Sequence, residues 1–507
     1  MAHELLFIRI LLVVGSILVP LAVVRFRKGL RNLPGPFWAS ILPIYRLNKQ
    51  WKRQAHQEDI DQHRRYGEIV RVGPKHVSIS SPEDVATVYS INGKFQKSDY
   101  YITMDVKTPS GLRQTMVSSR DDVHHRTLKR PIANAFSMTT MVELEPQVDK
   151  CIRILEDKFD ARLDQDIDLG DWMQFFAFDV ITTITFSDRM GFLDEGRDVN
   201  GVLDALETRF RYGSFVGQYP PLHSLLLGNR IGSYLVSFLP SIANAANNQS
   251  MVAFAGRQLE RYKSQDTVHK EYKDLLDRFK KSKDGVQVMT DTDLLIHATT
   301  NISAGADTTG SALKAAFWYL YQNPAARKRL VAEIDAYYAK GAMSDPITYA
   351  ESLEMPYWQA CLKETLRMHP AGGIMLERVV PEGGVTLSGT FLPAGTIVGA
   401  NPWTLAREMS VFGEDADAFR PERWLDSGPE QLRRMERHSL IWGGGSRTCI
   451  GKNIALLEVN KLVPQLLRRY EVNIVHPERY RVESMLVAKQ FGLFCQLSRR
   501  KTGVVEA

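Results

Sequence analysis

Apolar side chains fill the stretch from 5 to 24, with Arg9 and Pro20 as the main interruptions. Twenty residues of helix rise about 30 Å, the thickness of a bilayer's hydrocarbon core. No small-residue cleavage site follows Leu21-Ala22-Val23-Val24; instead Arg25, Arg27, Lys28 and Arg31 form a basic cluster of the kind that stays on the cytoplasmic side. The pattern predicts an uncleaved N-terminal transmembrane helix within a membrane anchor and basic flank, residues 1–32, and places the rest of the chain in the cytosol. At Leu33-Pro34-Gly35-Pro36 the prolines remove backbone donors and restrict their neighbours, which makes a stiff, non-helical elbow. Beyond it, apolar and polar residues alternate over 68–72 and 76–80 around Gly73-Pro74-Lys75, the pattern of a half-buried hairpin, and a second hairpin is predicted over 385–398. Helical spacing of apolar residues marks 141–159, 175–186, 294–321, 325–338, 357–368 and 453–470.

The balance is mainly α with a minor antiparallel β part. The longest polar stretch, 263–293, still carries Tyr272, Leu275, Leu276 and Phe279 at helical spacing, so it reads as surface helix and loop rather than a linker. Without a linker or internal repeat, and with 44% hydrophobic residues to fill a large core, residues 33–507 are expected to form one domain. The four cysteines, Cys151, Cys361, Cys449 and Cys495, lie far apart, which argues against a disulfide framework or a zinc site and for a reducing compartment. A net charge of +6 favours an acidic partner or anionic membrane surface, and nothing resembles a nucleic-acid-binding module.

Candidate chemistry is densest at Trp442-Gly-Gly-Gly-Ser-Arg-Thr-Cys449-Ile-Gly451, a glycine-rich loop that delivers one cysteine to the start of an apolar helix. Glycines let a backbone approach a flat ligand, and free amides at a helix N-terminus stabilise a thiolate. Arg447 can reach an anionic group on that ligand's rim. A structural cysteine beside a tight turn is the plainer alternative. A second pattern, Glu364-Thr-Leu-Arg367, puts two opposite charges on one helix face, which alone is an ordinary surface ion pair. In a third, Ala304-Gly-Ala-Asp-Thr-Thr309, glycine and hydroxyl residues interrupt an apolar helix, and Thr308 can donate to the Ala304 carbonyl and bend the axis.

Gly445, Arg447, Cys449 and Gly451 match the cysteine-ligand signature of the cytochrome P450 family, Phe-x-x-Gly-x-Arg-x-Cys-x-Gly, with Trp442 in place of the usual Phe. The chain resembles that family from the proline elbow to the C-terminus, and Tyr66–Pro74, Phe95–Ser98 and Gly451–Glu458 look like its fungal pisatin-demethylase-like group. The resemblance implies the cytochrome P450 fold and haem b (iron protoporphyrin IX), with Cys449 as axial ligand of the iron. It implies that Phe419-Arg-Pro-Glu-Arg-Trp424 brings Arg423 to Glu364 and Arg367 in a buried structural network, and that Asp307 and Thr308 support proton delivery during oxygen activation. Haem carboxylates would be met by His125, Lys129, Arg378 and Arg447. There the family's Trp-x-x-x-Arg reads His125-x-x-x-Lys129, a point charge without the bidentate fork of arginine, so the contact is expected to be looser or shared with Arg130; the alternative for His125 is a core or surface histidine.

By the same resemblance the chain is a monooxygenase of the endoplasmic reticulum membrane. It would hydroxylate or demethylate a bulky apolar substrate of secondary metabolism with O2 and with electrons from NADPH, passed on by an NADPH-cytochrome reductase. Substrate choice would lie in 100–116, 209–237, 295–303, 371–376 and 489–494, segments rich in aromatic and aliphatic residues. Two other readings stay open: a haem-thiolate enzyme that rearranges or dehydrates a peroxide without external electrons, and a haem-binding sensor or carrier. The indole N–H of Trp442, finally, is expected to donate either to the Cys449 sulfur or to a backbone carbonyl.

Overall fold

The computed structural model describes residues 16, 19–91, 93–108, 111–227, 231, 232, 234, 249–264, 272–280 and 289–500. Most of the expected anchor therefore lies outside the described residues. Among those described, no helix is long and apolar enough to cross a membrane. The basic flank is not a free tether. Leu30 and Leu33 are buried, and the guanidinium of Arg71 donates to the carbonyls of Val24, Arg25 and Leu30, tying this stretch to the body.

Strands β1 (Ile69–Arg71), β2 (His76–Ile79), β3 (Gln96–Lys97), β4 (Arg378–Val379) and β5 (Ile397–Gly399) form one sheet in the order β1-β2-β5-β4-β3. The first hairpin forms as expected, with Ile69 opposite Ile79. The second is corrected. Val385–Leu387 pairs antiparallel with Thr390–Leu392, but β5 leaves it to run parallel to β2, with Ile397 beside His76. Pro393 lacks the N–H a continuing ladder needs, and Gly395 at φ +77° turns the chain away. The β part is thus mixed rather than purely antiparallel. A second sheet joins Asp166–Asp168, Tyr470–Ile474 and Phe494–Arg499 near the C-terminus.

Helices carry the bulk of the fold: α1 (Asp122–Lys129), α2 (Glu145–Asp160), α3 (Leu169–Phe186), α4 (Val202–Val216), α5 (Asp291–Gln322), α6 (Pro356–Met368) and α7 (Lys452–Arg469) matter most for the site. The expected helix over 141–159 breaks at Leu144, because Pro146 is tolerated only in a first turn and so starts α2 anew. Every residue of α3 except Asp171 is buried. It is apolar all round and runs through the core, where each enclosed phenylalanine contributes roughly 1.5–3 kcal/mol relative to exposure. Against it lies α5, 32 residues long and started by a capping box between Thr290 and Asp293. On α7, Lys461 is wholly buried and held by Glu145 at 2.6 Å and Asp149 at 2.8 Å, which fastens α7 to α2. One cluster of buried apolar side chains extends from Ile132 to Leu497, and a second joins Leu30 and Leu33 to the five-stranded sheet.

Candidate functional site

The glycine-rich loop closes on itself through the Cys449 N–H, which donates to Trp442 O at 2.7 Å. Gly443 and Gly445 both take positive φ, and a Cβ on Gly445 would sit 2.6 Å from Tyr89 O and 2.8 Å from Ser90 O. Side chains are excluded there on two grounds, strain and space. Gly451 begins α7, and its N–H and that of Lys452 reach the Cys449 sulfur. Burial nonetheless dominates and raises the thiol pKa; those amides and the charges of Lys129 and Lys452 act against it. The sulfur is surrounded by protein except where it opens onto a cavity of about 410 Å³.

To the lining of the same cavity α5 contributes Ala304, Gly305, Thr308 and Thr309. The helix runs unbroken through this stretch, and Thr308 Oγ1 donates to Ala304 O at 2.8 Å. A Cβ on Gly305 would lie 3.0 Å from the Ile181 side chain, so glycine sets how closely α5 meets α3. Asp307 does not line the cavity. Successive helical residues point about 100° apart, and Asp307 faces α3, where it accepts from Gln174 Nε2 at 2.6 Å. Its second oxygen, Oδ2, is buried without a partner. Gln174 in turn accepts from Lys314 Nζ at 3.0 Å, and burial pushes that lysine down to about 8.

Five basic side chains meet at the cavity's edge: Lys97, His125, Lys129, Arg378 and Arg447. Arg447 pairs with Asp122 at 2.6 Å and donates to Ser119 O at 2.8 Å. Arg378 lies over the Tyr89 ring, 5.1 Å from its centroid, and Lys129 Nζ donates to Ser446 O at 3.1 Å. Arg130 is exposed and does not line the cavity. Among the described residues Asp122 is the one carboxylate within ion-pair distance of the five. Burial, followed by Arg378 and Arg447, holds Lys97 well below the usual lysine value; burial, then Arg447, Lys129 and Lys97, pushes His125 down to about 3. A thiol at one wall and uncompensated positive charge at the edge fit a flat metal complex carrying carboxylates.

Trp442 is half-buried and lines the cavity, with Lys452 Nζ 5.9 Å from its ring centroid. Neither expected acceptor is engaged: no hydrogen bond of its indole N–H is found among the described residues. Away from the cavity, Glu364, Arg367 and Arg423 do come together. Glu364 lies 2.7 Å from Arg367 and 2.9 Å from Arg423, all three side chains being at most 2% exposed. Sequence reasoning missed Lys97, Gln174 and Asp122. For Gln174 a signal existed, a lone amide within the apolar run of α3; Lys97 lay inside a motif, Phe95–Ser98, read only for its resemblance, and Asp122 sat unremarked among surface-like residues.

A sequence model of the family described as Cytochrome P450 matches residues 33–490. Among curated relatives, a cytochrome P450 monooxygenase of Aspergillus flavus is 36% identical over 96% of this chain and 96% of its own length. Cytochrome P450 monooxygenase cicH of Emericella nidulans is 35% identical over 90% of each chain, and cytochrome P450 monooxygenase asR2 of Sarocladium schorii 35% over 94% of each.

Proposed function

The chain belongs to the cytochrome P450 family and is a monooxygenase, and from that premise we propose that it uses O2 and electrons from an NADPH-dependent reductase to hydroxylate or oxidatively demethylate a bulky apolar molecule of fungal secondary metabolism. The observation that carries this reading is that Cys449, Thr308 and five basic groups line one largely apolar cavity. Cys449 would hold the haem iron, and Arg447, Arg378, His125, Lys129 and Lys97 would hold the carboxylates of haem. Bound there, haem supplies oxygen activation, favoured by the electron density of a thiolate. Thr308 presents a hydroxyl at the cavity wall. Asp307 would support proton delivery from the α3 side of the helix, where it accepts from Gln174, itself an acceptor of Lys314, and where its Oδ2 is buried without a partner. The fungal relatives and the short motifs shared with the pisatin-demethylase-like group support the metabolic setting.

The test is incubation of the haem-loaded chain with reductase, NADPH, isotope-labelled dioxygen and an extract of fungal metabolites, read by mass spectrometry. Label should enter a product only when both NADPH and reductase are present. Turnover of a peroxide without either would assign the chain to rearrangement or dehydration instead. Within this scheme Thr308→Ala should retain substrate binding and NADPH consumption while product falls on the order of tenfold to a hundredfold, the electrons appearing as hydrogen peroxide. Full coupling in that variant would remove Thr308 from proton delivery.

The apolar run at 5–24 and its basic flank support an N-terminal anchor in the endoplasmic reticulum membrane with the body on the cytosolic side. Removing residues 1–23 should release the protein from membranes with an unchanged melting temperature. Removing 1–32 should also destabilise it, by on the order of 3 kcal/mol, because buried Arg71 then loses three carbonyl acceptors. Sedimentation with membranes and thermal melts separate the two effects; equal melting of both truncations would show that the flank is only a tether.

A further inference from the structure

Arg209, on α4, lines the same cavity as Cys449 and Thr308 but is not one of the five basic groups gathered at its edge. Its Nη2 donates to the main-chain oxygen of Asp105 at 2.7 Å, and Thr103, Met104 and Val106 line the same cavity. A guanidinium has five N–H donors in a planar fork. Asp105 O is the one acceptor the structure gives it, and no carboxylate of a described residue lies within ion-pair distance. The next arginine on the helix, Arg211, shows what the ordinary arrangement looks like here, since it pairs with Glu207 one turn back. The acid nearest Arg209, Asp105, is half-buried; burial raises its pKa, and its buried Oδ1 has no partner. Burial pushes Arg209 down to about 10, so it keeps its charge at neutral pH.

A charged fork left without an anion, in a wall otherwise formed by residues such as Met104, Val106 and Phe210, is costly unless a ligand completes it. Other groups in the cavity suit the far end of such a ligand. His297 is neutral, burial holding it at about 4, and Thr300 Oγ1 is buried without a partner. Both lie N-terminal to Thr308, with residues 300 and 308 about 12 Å apart along the α5 axis. We infer that Arg209 binds the carboxylate of the substrate, which is therefore an amphipathic carboxylic acid held with its apolar body toward Thr308 and Cys449. This rests on the cavity being the substrate site of the monooxygenase proposed above. It goes further in requiring an anionic end.

Binding of dodecanoate and of dodecanol to the haem-loaded full chain, measured by calorimetry, tests it. The parent should bind the acid about tenfold or more tightly than the alcohol. Arg209→Met should lose that preference, weakening dodecanoate by about tenfold while dodecanol changes by less than about twofold, and Arg209→Lys should keep part of it. A parent without preference for the acid, including one that takes up neither probe, overturns the inference. So does an Arg209→Met that weakens both probes alike, since Arg209 would then only fasten α4 to Asp105. The carbon monoxide spectrum of each preparation is read alongside: its loss would count against the haem-thiolate reading, whereas an intact spectrum with no acid preference sinks this inference alone.

Discussion

Cys449→Ser leaves the fold standing and removes the red-shifted carbon monoxide band of the reduced protein. The side chain opens onto the cavity, so the substitution takes away no packed core contact, and a serine oxygen can accept from the same Gly451 and Lys452 amides that reach the sulfur. The cost to stability is expected to stay under about 1 kcal/mol, the range of substitutions that create neither cavity nor stranded charge. Electronic character, by contrast, changes completely: an alcohol does not ionise where a thiol of ordinary pKa near 8.5 does, and no push on a metal remains. Monooxygenase activity falls to background. Far-ultraviolet dichroism and a thermal melt report the fold, and the reduced carbon monoxide difference spectrum reports the ligand. Cys151, Cys361 and Cys495 are buried away from the cavity, and their serine variants should retain the band. A band that survives in Cys449→Ser and vanishes in one of those three would move the ligand elsewhere.

The cysteine loop was legible because everything it needs is local: glycines where the backbone meets Tyr89 and Ser90, an arginine two residues before the sulfur, and a helix beginning just after it. The long apolar helices were legible for a similar reason, since a 3.6-residue period requires no knowledge of partners. Pairings across the chain were not. β5 lies parallel to β2 although some 320 residues separate Ile397 from His76, and no short pattern encodes such a partner. Side-chain direction was the other gap. Asp307 and Thr308 are adjacent in sequence and read as a unit, yet helical geometry sends one toward α3 and the other into the cavity. Lys97 shows the same limit from the other side: its strand is two residues long and looks like surface, and only the fold brings it to Arg378 and Arg447. Leu30, placed by the pattern in the flank of an anchor, is buried against the body.

Glu364→Gln is expected to be the most destabilising single change in this set. The carboxylate is fully buried and accepts five hydrogen bonds: from Arg367 Nε at 2.9 Å and Nη2 at 2.7 Å, from Arg423 Nε at 2.9 Å, from Trp424 Nε1 at 2.9 Å and from the Arg420 N–H at 2.8 Å. Glutamine preserves the volume but removes the charge, offers one accepting oxygen in place of two, and turns an N–H₂ toward guanidinium donors. Arg367 is then left buried with main-chain carbonyls of Ala406, Ala416 and Ala418 as partners and no carboxylate, while Arg423 keeps main-chain oxygens of Phe412, Asp415 and Ala418 and one carboxylate, that of the partly exposed Asp415. Breaking a buried pair from one side costs roughly 3–5 kcal/mol, a large share of the 5–15 kcal/mol typical of folded proteins. Chemical denaturation of parent and variant measures the gap. Its pH dependence is fixed in sign: burial acts to raise the Glu364 pKa, but Arg367 and Arg423 hold it below the ordinary carboxylate value. The stabilisation is therefore present above the unfolded value of about 4.3, shrinks as pH falls below it, and is gone once pH has passed the folded value. Glu436→Gln is the matched control, because Glu436 meets Lys363 at 2.9 Å with both side chains about half exposed, where such pairs contribute under about 1 kcal/mol. If the two variants lost equal stability at neutral pH, the Glu364 cluster would contribute no more than a surface pair, and its reading as a buried structural network would fall with it.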